Sequence, residues 1–290
     1  MKGLTWVQLR LIERELVWRN ILNFRSTREY RRYRPNLCTE GVRLLEALNE
    51  TGLAITHVDR IPGMAEMFEA LRNNAQDVEA RLAQRAQRKH LAGSRRSGYT
   101  FASNLLGSFP RFDPASIFAR FSTHPALLEV INGYFGLFAQ LRKYAVFRTT
   151  DVTEGVNAKW HRDALFDIPI IRVFAYFADV TEKNGALLYA RGTHTKSKEG
   201  SRRAIADEIL DRQAASCVGS EGSIVLADTR GYHKAGSFSV GERWLYNSVF
   251  TTPGYGADYF TRVQRTKPER MQPVSWALSS PLSLTRNFFY

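Results

Sequence analysis

Four side chains in the second half of the chain have the types and spacing to do chemistry together: His161, Asp163, His233 and Arg243. In an extended segment, residues two apart point to the same side. Trp160-His161-Arg162-Asp163 therefore offers an imidazole and a carboxylate to one point, with Arg162 facing away. A single H-x-D is common by chance and needs a third ligand from another strand. His233 is that candidate, because it follows the apolar run Ser223-Ile-Val-Leu-Ala227 and the turn Asp228-Thr-Arg-Gly-Tyr232. Two histidines and one carboxylate on one face of an octahedron leave open positions, the arrangement that suits Fe(II) awaiting a bidentate co-substrate and O₂. Zinc, with three protein ligands and a water, fits the same set.

Arg243 comes ten residues after His233, in the strand-like run Arg243-Trp-Leu-Tyr-Asn-Ser-Val249. Its alternate set is Arg243, Leu245, Asn247 and Val249. A planar guanidinium directed into an otherwise small or apolar interior calls for a carboxylate partner. 2-Oxoglutarate supplies one, together with a keto-acid end for a metal. Trp244, Tyr246 and Phe250 fall on the other face and read as packing between layers. His57, His90 and His124 have no partner pattern, and His194 reads as shaping a turn or a pocket edge.

These residues need a scaffold, and the chain changes texture near residue 140. Before it, the pattern is helical: apolar steps of three to five residues over Leu4–Phe24, then helices over about Thr39–Leu48, Met64–Leu91 and Ser122–Gly136. Gly52–Val58 reads as one short strand among them. From about Leu141 the chain becomes short β-branched and aromatic runs: Leu141–Thr149, Trp160–Asp163, Ile170–Ala178, Leu187–Tyr189, Ser223–Ala227 and Trp244–Phe250. Turn signals such as Lys183-Asn-Gly185 and Arg191-Gly192 separate them. The expectation is a mainly β protein with flanking helices, a jelly roll (double-stranded β-helix) carrying a helical layer. One domain over 1–290 is expected, with a helical layer at 1–140, a jelly-roll core at 141–255 and an extension at 256–290.

From about Tyr144 to Phe250 the chain resembles the phytanoyl-CoA dioxygenase branch of the Fe(II)/2-oxoglutarate oxygenases. The matching elements are Trp160-His-Arg-Asp163, Ala178-Asp-Val-Thr-Glu-Lys-Asn-Gly185, Arg191-Gly-Thr-His194, Gly222-Ser-Ile-Val-Leu226, His233 and Arg243. The resemblance implies that His161, Asp163 and His233 bind iron, that Arg243 holds the far carboxylate of 2-oxoglutarate, and that O₂ is the co-substrate. Because Asp163 is present where halogenating relatives carry a small residue, it implies hydroxylation or another oxidation. It also implies that the strand before the H-x-D lends side chains to the 2-oxoglutarate site, which makes Tyr144 and Arg148 candidates beside the bland reading of sheet packing. The chain departs from the family at Arg191-Gly-Thr-His194, where Pro-Gly-Ser-His is usual, and at Arg162 and Ala235, where Gln or Ser often stands.

Bulk properties set the frame. With 290 residues, 44% hydrophobic and 24% charged, the chain is neither fibrous nor disordered. Cys38 and Cys217 are too few for a disulfide framework, and no apolar run is long enough to span a bilayer, so a cytoplasmic location is the expectation. The net charge of +13 is the outlier. Arginines cluster at 25–34 and again from Arg81 to Arg96, making this region a candidate for peripheral contact with anionic membrane or another polyanion, with nucleic acid the less expected partner. The expected working partner is a small-molecule substrate. Two rival readings are a cupin-like metal-binding module without activity, and a basic membrane- or nucleic-acid-associated protein.

Overall fold

The structure, a computed structural model, describes residues 15–91, 102–150, 159–163, 168–195, 205–239, 241–254, 259–262 and 266–280. Helices open the chain. Glu15–Leu22 is helical, with a π-helical stretch at Trp18–Leu22, followed by α1 (Phe24–Arg32) and α2 (Thr39–Thr51). The start of the first helix expected from sequence, residues 4–14, lies outside the described residues, as does the basic cluster beyond Leu91, Arg95 included.

Gly52 ends α2 in the left-handed conformation at φ 78°. A side chain there would also collide with the Tyr189 hydroxyl and the His194 ring, so the position is closed to other residues twice over. The chain then enters β1 (Leu53–His57) and continues through α3 (Met64–Leu91), β2 (Ala102–Asn104), α4 (Ile117–Ser122) and α5 (Pro125–Phe135). The helix expected over 122–136 is α5, which begins three residues later than expected, while α4, ending at Ser122, precedes it. Pro125 lacks the amide that would continue α4 and instead occupies the first turn of α5.

The remaining elements are β3 (Gln140–Thr150), β4 (Ile171–Tyr176), β5 (Leu187–Ala190), α6 (Asp207–Gln213), β6 (Ala214–Ser216), β7 (Ser223–Asp228), β8 (His233–Ala235), β9 (Glu242–Thr251) and α7 (Pro273–Leu278). They form a six-stranded antiparallel sheet in the order β1-β7-β4-β9-β3-β2 and a three-stranded sheet in the order β6-β5-β8. This is the expected jelly-roll type with a helical layer, and its two sheets do not close into a barrel.

Strand alternation divides the large sheet into two faces. The outer face packs Val173, Ala175, Ile224, Leu226, Trp244, Tyr246 and Phe250 against Leu44, Leu48, Phe68, Phe121 and Ile131 of the helices. The inner face meets the small sheet through a separate cluster that includes Leu53, Tyr176, Val225, Ala227, Leu245 and Tyr189. Trp244, Tyr246 and Phe250 are therefore inter-layer core, as their phase implied. The C-terminal helix α7 buries Trp276 against Phe138. Among the described residues no helix is long and apolar enough to cross a membrane.

Candidate metal centre

His161 and His233 face each other across a narrow antiparallel bridge, each amide donating to the other's carbonyl at 3.0 Å. Asp163 is clipped to the same turn, its amide donating to the Thr229 carbonyl at 2.9 Å. The segment 160–163 makes this single bridge rather than the full strand expected, yet the alternation still delivers His161 and Asp163 to one side. The ligand atoms of His161, Asp163 and His233 lie within 4.8 Å of one another.

Each imidazole is oriented through its other nitrogen. Nδ1 of His161 lies 2.9 Å from the Lys159 carbonyl, and Nδ1 of His233 lies 3.0 Å from the Gly231 carbonyl. A protonated Nδ1 donating to a carbonyl leaves Nε2 with its lone pair free, the tautomer a metal needs. Nε2 of His233 stands 3.7 Å from Oδ2 of Asp163. Burial pulls the His233 imidazole down to about 4, against the opposing pull of Asp163, so it is neutral over the physiological range. Burial pushes the Asp163 carboxyl up, but Arg172 and then His233 outweigh it and hold it below its ordinary value. Arg172 is in contact, its Nε donating to Oδ2 of Asp163 at 2.6 Å. An anionic carboxylate and a neutral His233 imidazole are thus ready at neutral pH.

The turn that carries His233 is braced from below. Asp228, fully buried at the end of β7, accepts from Arg230 Nε at 2.8 Å, from the Arg230 amide at 3.0 Å and from the Tyr134 hydroxyl at 2.5 Å. The Tyr189 hydroxyl donates to the Asp228 carbonyl at 2.8 Å. Removing one member of such a buried ion pair costs about 3–5 kcal/mol. A misplaced His233 would be the local consequence.

Arg243 opens β9 on the inner face. Its guanidinium bonds the Gly185 carbonyl and lies where only a glycine fits: at φ 84°, a Cβ on Gly185 would sit 3.3 Å from Nη1 of Arg243. Burial depresses its pKa, and Nε is buried with no acceptor among the described residues. Beside it in register is Thr149 of β3, 1% exposed, whose hydroxyl is also without a partner among the described residues. Further along the inner face, both amide atoms of the buried Asn247 are unsatisfied. Native proteins leave few buried polar groups unpaired, and among the described residues this face carries them at Arg243, Thr149 and Asn247.

Tyr144 and Arg148 are not part of it. They do share a face of β3, but it is the outer one. Tyr144 packs against Phe118 and Phe260. Arg148 pairs with Glu242 at 2.7 Å and Glu79 at 3.4 Å, over the Trp244 ring. The register puts Lys143, Ala145, Phe147 and Thr149 inward instead, opposite Val249, Asn247, Leu245 and Arg243. Anchoring the phase of β3 on its pairing with Arg243, rather than on the most conspicuous side chains, identifies that set. His194 is buried against Gly52 and stands outside the ligand cluster. Lys143, Thr149, Arg172 and Asn247 were not singled out from the sequence.

The family profile described as phytanoyl-CoA dioxygenase (PhyH) matches residues 64–240, which takes in all three ligands and stops just short of Arg243. No curated protein matches the chain. Among solved structures, AviO1 from Streptomyces viridochromogenes Tue57 is similar with a TM-score of 0.54 at 15% identity, over 77% of this chain and 100% of that one. HygX from Streptomyces hygroscopicus, solved with nickel and 2-oxoglutarate bound, is similar with a TM-score of 0.50 at 15% identity, over 77% and 90%. At such identities the likeness is one of fold.

Proposed function

This chain belongs to the phytanoyl-CoA dioxygenase family, and we propose that it is a non-haem Fe(II)- and 2-oxoglutarate-dependent oxygenase that hydroxylates an unactivated C–H of a small molecule. One observation carries the reading. A cluster of two imidazoles and one carboxylate shares the inner face with a buried arginine that has a donor unsatisfied among the described residues. The residues fit the group. His161, Asp163 and His233 would hold the metal facially, leaving positions for a chelating keto acid and O₂. Arg243, with the Thr149 hydroxyl beside it, would take the far carboxylate of 2-oxoglutarate.

When bound, iron and 2-oxoglutarate supply oxidising power toward a C–H bond, coupled to release of succinate and CO₂. The protein's own share is binding and orientation. The Lys159 and Gly231 carbonyls fix both imidazoles. Arg172 keeps Asp163 ionised and aimed. The apolar lining from Leu245, Tyr176 and Val225 keeps water from the space between the sheets.

The test is an anaerobic titration of metal-free protein with Fe(II) and 2-oxoglutarate, read as the weak visible charge-transfer band of the chelate. Asp163→Ala should abolish the band and any coupled succinate formation. A wild-type protein that binds metal yet shows no band, or an Asp163→Ala protein that keeps it, would overturn the reading.

A further inference from the structure

We infer that the N-terminal helical segment, together with the turn before α7, forms a docking surface for an anionic lipid bilayer. The inference goes beyond the oxygenase reading and does not depend on it. The segment belongs to the helical layer, whereas the metal ligands lie on the inner side of the sheet.

The fold decides which side of the segment looks outward. Trp18 enters the core of the helical layer. Asn23 is buried, its Nδ2 donating to the Trp18 carbonyl at 2.7 Å and its Oδ1 accepting from the Gly254 amide at 2.6 Å. Ser26 Oγ donates to the Phe138 carbonyl at 2.8 Å, and Thr27 Oγ1 donates to the Arg19 carbonyl at 2.6 Å. With that side anchored, Leu16, Ile21, Leu22 and Phe24 stand in solvent, Leu16 at 74% and Ile21 at 68% exposure. Single exposed apolar side chains are ordinary, but a close group of large ones marks a surface that meets something.

The cations follow directly along the chain. Arg25, Arg28, Arg31, Arg32 and Arg34 are all exposed, and none of them meets a carboxylate among the described residues. Arg25 lies 5.7 Å from the centre of the Trp276 ring, and Arg31 donates to the Asn20 side chain at 2.9 Å. The acidic side chain inside this run, Glu29, is engaged by the C-terminal segment. It accepts from the Met271 amide at 3.1 Å and lies 3.9 Å from Arg270 Nε. These contacts bring the exposed Met271, Val274 and Arg270 up beside Arg25. Two segments far apart in sequence thus add to one surface that is both apolar and cationic.

That combination chooses the occupant. Nucleic acid would answer the arginines, but its phosphates offer nothing to Ile21, Leu22 and Phe24, which gain only from an apolar medium. A bilayer answers both. Anionic headgroups take the guanidinium groups, and the acyl boundary just beneath takes the apolar side chains. Arginine stems are long enough to lie along that boundary with their charge among the headgroups. The net charge of +13 draws the whole molecule toward such a surface. Apolar contact and charge each supply part of the attraction, so binding is reversible and needs both.

The experiment is co-sedimentation of the full-length protein with sucrose-loaded vesicles, either phosphatidylcholine alone or phosphatidylcholine mixed with phosphatidylserine. The wild type should sediment with the mixed vesicles and not with the neutral ones, and added salt should weaken the binding. The double variants Ile21→Gln/Phe24→Gln and Arg28→Gln/Arg32→Gln should each weaken it about tenfold or more, with unchanged melting temperatures. Phe24→Trp should bind as the wild type does and add an emission that acyl-brominated lipid quenches, a readout that stands even if a glutamine variant fails to fold. No sedimentation with the mixed vesicles, equal binding to neutral vesicles, or equal binding by the wild type and both double variants would overturn the proposal. A labelled DNA duplex and sedimentation velocity are run in parallel. Duplex binding lost only in Arg28→Gln/Arg32→Gln, without vesicle binding, would assign the arginines to nucleic acid and overturn the lipid surface. Dimerisation lost in Ile21→Gln/Phe24→Gln, again without vesicle binding, would overturn it in favour of a second copy of this chain.

Discussion

Arg148 and Arg243 stand one rung apart on neighbouring strands, on opposite faces of one sheet, and the chain treats them differently. Arg148, on the outer face, has two carboxylates and an aromatic ring of its own. Arg243, on the inner face, has a backbone carbonyl and a buried Nε with nothing to bond. The hydroxyls follow suit: that of Tyr246 lies 2.6 Å from Ser122 Oγ and donates to the Phe118 carbonyl, whereas that of Thr149 has no partner. The outer face has lapses too, at Trp244 Nε1 and Ser248 Oγ, but they are neutral and scattered. Unmet charge is concentrated inward. One sheet thus presents a face whose charges the protein satisfies itself and a face whose buried arginine keeps a donor unsatisfied among the described residues.

The contrast is tested most strongly by removing the two arginines in turn. Arg243→Met should raise the 2-oxoglutarate needed for half-maximal band formation about a hundredfold, because the carboxylate loses a buried charge-assisted partner. Folding stability should hold or rise, since a half-satisfied buried charge leaves with it. Arg148→Met should change the 2-oxoglutarate requirement by less than about twofold and stability by under about 1 kcal/mol, as expected of partly exposed ion pairs. Similar shifts in the two proteins would erase the distinction between the faces.

Much of this was legible in the sequence, and the limits have physical causes. Strand periodicity placed β3, β4, β7 and β9 within a few residues, and the His-x-Asp spacing put both candidate ligands on one side although 160–163 is held by a single bridge. The nearness of His233 to that pair was readable because a strand and a turn precede it. Tyr144 and Arg148 failed by one residue of phase, which in a strand exchanges the faces entirely. Lys143 and Arg172 were hidden because what marks them is the register of β3 and β4 on β9, a relation no local spacing encodes. The Asp228–Arg230–Tyr134 brace was invisible for the same reason, since Tyr134 arrives from α5.

Acid offers a second probe of the inner face. The His233 pKa of about 4 lies below the 6.5 of an unfolded histidine, so the unfolded chain binds the extra proton first. The stability of the neutral, buried imidazole is whole above pH 6.5 and is lost as pH falls toward 4, by about 3 kcal/mol at most. Urea titrations of metal-free protein across that range should show the loss, and His233→Gln should flatten it. A bound divalent metal should also flatten it, by holding the imidazole neutral. An unchanged slope in His233→Gln would assign the acid sensitivity to other buried groups, such as His124 in the helical layer, whose pKa burial also lowers.

The smallest expected effects are the most discriminating, because they separate folding from binding at single oxygen atoms. Tyr246→Phe removes a hydroxyl that the fold uses and leaves Ser122 Oγ and the Phe118 carbonyl only their 3.1 Å bond to each other. It should cost about 1–2 kcal/mol of stability and leave 2-oxoglutarate binding unchanged. Thr149→Val removes a buried hydroxyl that the fold does not use. Stability should be unchanged or slightly higher, while the 2-oxoglutarate requirement rises by about fivefold, roughly 1 kcal/mol. Paired denaturation and 2-oxoglutarate titration curves read both quantities on each variant. Should Thr149→Val destabilise the protein yet bind 2-oxoglutarate normally, the hydroxyl would belong to the scaffold, and Arg243 alone would hold the far carboxylate.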